Sequence, residues 1–197
     1  MLIGLTGQIG AGKSTAAGIL AGTGAHIVDA DLIGKEVVDR SPQLRAKLGR
    51  RFGLEIFDKR GHLKRRRLAQ LAFASEETKR ALNGLVHPYL LKELRKQARV
   101  AVKKHDLVVI DAALLLYWQM DREVDFVLVI HASRRTRFAR MAKRGISEAD
   151  ALARQKAQLP YREFQKRADR MILNNGTREQ LRTKLIRLLS SISPETR

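Results

Sequence analysis

The 197-residue chain has no cysteine, which excludes disulfides, thiolate nucleophiles and cysteine-ligated metals. Aromatic residues make up only 5%, too few to interleave the arginine-rich stretches with the stacking platforms that single-stranded nucleic acid uses. No stretch approaches the roughly 18 consecutive apolar residues of a membrane-spanning helix. Met1 leads straight into Leu-Ile-Gly-Leu-Thr, without the charged leader and cleavage site of a secretion signal. A cytoplasmic location without membrane association is the expectation. Internal repeats and low-complexity tracts are also missing.

Acidic residues are few: 20 against 39 basic ones, a net charge of +19. Such an excess suggests a polyanionic partner. It is split, however, between residues 40–67, with eleven basic and two acidic, and residues 133–170, with twelve basic and four acidic. Neither region is a compact tail. A pocket for a polyphosphate needs several such cations and the remainder read as solvated surface, so no specific nucleic-acid partner is expected.

Apolar residues at 44% and charged residues at 30% describe a chain able to bury a core. Short apolar runs at 2–6, 26–29, 107–110, 126–130 and 171–173 read as buried strands, alternating with helical patterns. That alternation predicts an α/β fold, a parallel sheet with helices on both faces. Residues 32–106 carry helical patterns and no strand, and predict an inserted helical substrate lobe. The core is expected over 1–31, 107–132 and 168–197, with a helical lid over 133–167. Within the lobe, His87-Pro88 predicts a break between helices at 76–86 and 89–103, since proline disfavours helical geometry in the residue before it. Ser133 and Ser147 read as N-caps of two lid helices joined at Gly145.

Gly7-Gln8-Ile9-Gly10-Ala11-Gly12-Lys13-Ser14 matches G-x-x-x-x-G-K-[ST] between a predicted strand and a predicted helix. Glycines let such a loop wrap phosphates with backbone N–H groups while the helix N-terminus adds its dipole. Lys13 is placed to reach the β- and γ-phosphates and Ser14 to offer a hydroxyl to Mg²⁺, with Thr15 next along the helix. A nucleotide–magnesium complex is implied. The loop by itself leaves open a kinase, a GTPase, a motor or a nucleic-acid ATPase, although no Asn-Lys-x-Asp guanine-recognition segment is present.

Asp29-Ala30-Asp31 follows the second strand, and Asp31 is the candidate for orienting an acceptor hydroxyl and taking its proton. The competing reading is that one of the pair caps the next helix. Asp111 ends the run Leu107-Val108-Val109-Ile110, as a magnesium-binding carboxylate at a strand end does. Arg137, Arg140 and Arg144 share a helical face, from which a closing lid supplies charge to a transferring phosphoryl group. Any one of these arginines alone reads better as solvated surface than as a catalytic group.

Together, Gly4-Leu5-Thr6-Gly7 leading into the loop and Val28-Asp29-Ala30-Asp31 resemble the dephospho-coenzyme A kinases. Further landmarks follow in the family's order: Arg51-Phe52-Gly53, Gly61-His62-Leu63-Lys64-Arg65, Leu85-Val86-His87-Pro88, Asp111 with Leu114-Leu115, Gln158, and Ala168-Asp169 through Ile172 to Asn174-Asn175-Gly176. The resemblance spans nearly the whole chain. It implies ATP-dependent phosphorylation of the ribose 3′-hydroxyl of dephospho-coenzyme A, the last step of coenzyme A synthesis. By position it implies Asp31 near that hydroxyl, Arg140 as a lid arginine, Arg65 and His87 on the acceptor side, and Asn174 beside the adenine of ATP. The sequence departs from the family pattern at Gln8 (usually glycine), Ala11 (often serine), and at Ala112-Ala113 and Tyr117, where a proline and a glutamate are usual.

Overall fold

Leu2–Gly7, Val108–Asp111 and Phe126–His131 are almost wholly buried runs rich in Val, Ile and Leu, the composition of strands covered on both faces. In the computed structural model, which describes residues 1–192, they form the centre of a five-stranded parallel sheet. Its strands are β1 (Leu2–Gly7), β2 (His26–Asp29), β3 (Val108–Asp111), β4 (Phe126–His131) and β5 (Arg170–Leu173), in the order β2-β3-β1-β4-β5. Leu5 lies opposite both Asp111 and Leu128, and Gly7 opposite Ile130. At Gly7 the backbones approach so closely that a Cβ would overlap the Ile130 carbonyl, so only glycine fits there.

The chain forms two compact units, one of residues 1–28 with 100–197, the other of residues 29–99. In the first, α1 (Lys13–Ala21) and α9 (Arg178–Ile192) lay Ala16, Ile19, Leu20, Leu181 and Leu185 onto Ile3, Leu5, Val109, Leu128 and Ile130 of one sheet face. α6 (Arg134–Ala142), α7 (Glu148–Lys156) and α8 (Tyr161–Arg167) fill the stretch between β4 and β5. Ser133 and Ser147 cap α6 and α7 by accepting from Thr136 N and Asp150 N, as their spacing predicts. α8 is not anticipated by the sequence reading. It is a seven-residue helix after Pro160 that buries Phe164 and ends at Arg167, which forms a bidentate ion pair with Asp121.

In the second unit, α2 (Ala30–Arg40), α3 (Pro42–Phe52), α4 (Arg65–Ala72) and most of α5 (Glu76–Ala101) enclose a separate core of Val38, Leu44, Leu48, Phe52, Ile56 and Leu68. The predicted break at His87-Pro88 does not occur: α5 runs through Pro88 without interruption. Leu82, Leu85, Val86 and Tyr89, on both sides of the proline, pack against that core, while Leu90, Leu94 and Ala98 are buried further along. This burial outweighs the local cost of proline, which is about 3 kcal/mol in a helix interior.

Among the described residues, no helix is long and apolar enough to cross a membrane.

Candidate active site

β1 ends at Gly7 and α1 begins at Lys13, so the loop between them stands at the carboxyl end of the central strand, where open α/β sheets place their ligands. Gly10 (φ 77°) and Gly12 (φ 97°) take left-handed backbone conformations that side chains resist. At Gly12 there is a second constraint, because a Cβ would fall on the Asn174 side chain. Asn174 itself is 5% exposed.

The loop carbonyls are held by three side chains of the same unit, two from α6 and one from the segment after β5. Asn174 Nδ2 donates to Ala11 O at 2.8 Å. Arg140 Nη1 donates to Ala11 O at 3.2 Å and to Gly10 O at 3.4 Å. Arg137 Nη1 donates to Ile9 O at 3.4 Å. Among the amides, Ile9 N donates to Gln158 Oε1 at 2.8 Å and Ala11 N to Gln8 O at 3.0 Å. Those of Gly10, Gly12, Lys13, Ser14 and Thr15 have no protein partner among the described residues, the last three being the free N–H groups of the first turn of α1. With its carbonyls engaged and these amides available, the loop fits a polyphosphate.

Lys13 Nζ forms a direct ion pair with the Asp111 carboxylate at the end of β3. Their side chains are only 14% and 9% exposed, so each charge depends on the other. Ser14 is exposed, and its hydroxyl has no partner among the described residues. A serine hydroxyl and one carboxylate suit Mg²⁺, which keeps most of its shell for phosphate oxygens and water.

Asn174 and Arg140 are thus committed to the shape of the loop. Asn174 N also donates to His131 O at 2.7 Å, and Asn175 Oδ1 accepts from Ser133 N at 2.8 Å, so the segment after β5 is stitched to the end of β4. Asp169 belongs to the same frame, accepting Val127 N at 2.7 Å. No pattern local to Arg137 or Gln158 reveals their loop contacts, which cross 128 and 149 residues of sequence.

The remaining candidates lie in the second unit. Asp29 is the N-cap of α2, accepting from Asp31 N at 2.8 Å and Leu32 N at 3.0 Å. This leaves Asp31 in the first helical turn, exposed, with a carboxylate that has no partner among the described residues. Arg65 opens α4 and is paired to Asp39 at 2.6 Å, with a second bond to Lys35 O at 3.2 Å. His87 is half-buried within α5, where loss of hydration pushes its pKa below the ordinary imidazole value. It does not sit at a helix break. Among the departures from the family pattern, Ala113 and Tyr117 line a small cavity of about 150 Å³ with Phe164.

A family model described as dephospho-CoA kinase matches residues 1–180. The Bacillus cereus dephospho-CoA kinase is 37% identical over 187 residues, 94% of each chain. Among solved structures, TT1252 from Thermus thermophilus superposes with a TM-score of 0.80 at 31% identity, covering 98% of both chains. A dephospho-CoA kinase from Campylobacter jejuni shares the fold, with a TM-score of 0.70 at 23% identity over 98% of this chain and 97% of its own. This chain is a member of the dephospho-CoA kinase family.

Proposed function

We propose that the protein transfers the γ-phosphoryl group of ATP to the ribose 3′-hydroxyl of dephospho-coenzyme A, giving coenzyme A and ADP, in the cytoplasm and as the last step of coenzyme A synthesis. The observation that carries the phosphoryl-donor half is the loop itself: carbonyls engaged by Arg140, Arg137 and Asn174, and the amides of Gly10, Gly12, Lys13, Ser14 and Thr15 left to bind oxyanions. Family membership supports the acceptor.

In this reading Gly7, Gly10, Ala11 and Gly12 shape the cradle, Lys13 exchanges part of its contact with Asp111 for the β- and γ-phosphates, and Arg140 keeps the loop rigid while adding positive charge at its back. Ser14 and Asp111 hold Mg²⁺, which when bound neutralises charge on the phosphate oxygens. Asp31 accepts a hydrogen bond from the attacking hydroxyl, aligns it and takes its proton. An exposed carboxylate with no partner among the described residues is available for that task. Arg65 and His87 are assigned to the acceptor side. Arg65 would bring a guanidinium already oriented by Asp39, and His87 a neutral imidazole.

A coupled ADP-release assay with Mg-ATP tests the proposal, comparing dephospho-coenzyme A with a panel of nucleosides and shikimate-like acids. Selective turnover of dephospho-coenzyme A is expected. Turnover of another acceptor in its place, or ATP hydrolysis stimulated by polynucleotide without transfer, would overturn it.

A further inference from the structure

A cavity of about 390 Å³ lies within the first unit, where the end of β4, α6 and the end of α7 meet Gln8 of the phosphate loop. Three cations line it, Arg134, Arg137 and Lys156, and among the described residues no carboxylate does. Arg137 is 5% exposed. Its Nη1 is engaged by Ile9 O at 3.4 Å and its Nη2 by Gln155 Oε1 at 3.1 Å, both neutral acceptors. Among the described residues its buried Nε has no partner, and neither has the buried Nδ1 of His131 on the same wall.

A guanidinium this deep, which among the described residues meets only neutral acceptors and further cations, is an uncompensated charge. The titration behaviour of its surroundings agrees. Burial, and then the charge of Arg134, pushes the pKa of Arg137 down, while burial, and then the charge of Arg137, does the same to His131. An anion in the cavity would offset the mutual repulsion of Arg137 and Arg134 and supply the counter-charge that the neutral partners of Arg137 do not. The site is distinct from the amide cradle, since its charges come from α6 and α7. It is nonetheless joined to the loop, because Arg137 and Gln158, both lining the cavity, hold the carbonyl and the amide of Ile9.

We propose that this cavity is a second oxyanion site of the enzyme, taking a phosphate- or diphosphate-class group while the loop holds its own nucleotide. Two sources share that chemistry: a free inorganic anion, and the diphosphate of the acceptor. Only the second source rests on the kinase reading.

The test is calorimetric titration of the full chain with inorganic pyrophosphate after the loop has been saturated with ADP. One further site is expected, weakened about tenfold or more by Lys156→Glu and by Arg134→Gln. Lys156 is exposed, so its replacement does not threaten the fold. Absence of pyrophosphate binding once ADP is in place, or binding that both variants leave intact, would overturn the site. Repeating the titration with dephospho-coenzyme A present separates the sources: competition assigns the site to the acceptor's diphosphate, and undiminished binding assigns it to a free anion. A chain that binds pyrophosphate in this way but fails to phosphorylate dephospho-coenzyme A would refute the kinase reading and leave the cavity site standing.

Discussion

The carboxamide of Asn174 donates to the carbonyl of Ala11 at 2.8 Å, tying the segment after β5 to the phosphate loop across 163 residues of sequence. The same side chain occupies the space a Cβ on Gly12 would need. Asn174→Ala removes one of the two donors to the Ala11 carbonyl and leaves Arg140 as the other, a cost of about 0.5–1.5 kcal/mol. If this bond sets the loop's shape, KM for ATP rises about fivefold to tenfold with a smaller change in kcat. Steady-state kinetics with varied ATP would show it, and an unchanged KM would contradict it.

Lys13 and Asp111 make the second dependence. Removing one member of a largely buried pair takes a counter-charge from the other, so Lys13→Ala should lower stability by up to about 3–5 kcal/mol as well as abolishing a phosphate contact. Removing both, in Lys13→Ala with Asp111→Ala, should recover part of that loss. Urea unfolding of the two single variants and the double one decides the matter: strictly additive losses would mean the pair is not coupled.

Pro88 offers a stabilising change. Its ring removes an N–H from the interior of a 26-residue helix, leaving the Gly84 carbonyl without its usual donor. Pro88→Ala restores the donor and should raise unfolding free energy by about 1–3 kcal/mol. A lower stability would show that the proline shapes α5 in a way its packing requires.

How much of this was legible in the sequence follows from the range of the interactions. The strands read correctly because their apolar runs are local, and the serine caps because a cap is fixed by the three residues after it. The phosphate loop was legible because its chemistry and its geometry occupy the same eight positions. The uninterrupted α5 was not, since local proline geometry argues for a break and only burial on both sides of Pro88 argues against it. α8 was missed because its apolar content reduces to one buried phenylalanine, Phe164. The supports of the loop, Arg137, Arg140, Gln158 and Asn174, act across more than a hundred residues, so their side chains could be noticed in the sequence but their partners could not.

Two histidines give the protein a pH dependence of definite sign. Burial holds the pKa of His87 below the ordinary 6.5, and burial with the nearby charge of Arg137 does the same for His131. The unfolded chain therefore takes up protons more readily than the folded one, and stability rises with pH in that range. The contribution is complete above the unfolded value and is lost as pH falls from there towards the depressed folded values. Thermal melting between about pH 7 and about pH 5 should show a declining Tm that flattens in His87→Gln. A slope that is absent in the wild type, or steeper in the variant, would contradict this.

In the proposed reaction a triphosphate gripped by the loop is delivered to a sugar hydroxyl aligned by Asp31. Its most direct measurement is the rate of 3′-phosphorylation of dephospho-coenzyme A by Asp31→Asn, alongside wild type and with the affinity for ATP recorded in parallel. Wild type is expected to form coenzyme A, with the new phosphate at the ribose 3′ position, and the variant to lose about 10²–10⁴-fold in turnover while still binding ATP. Near-normal turnover by Asp31→Asn would contradict it.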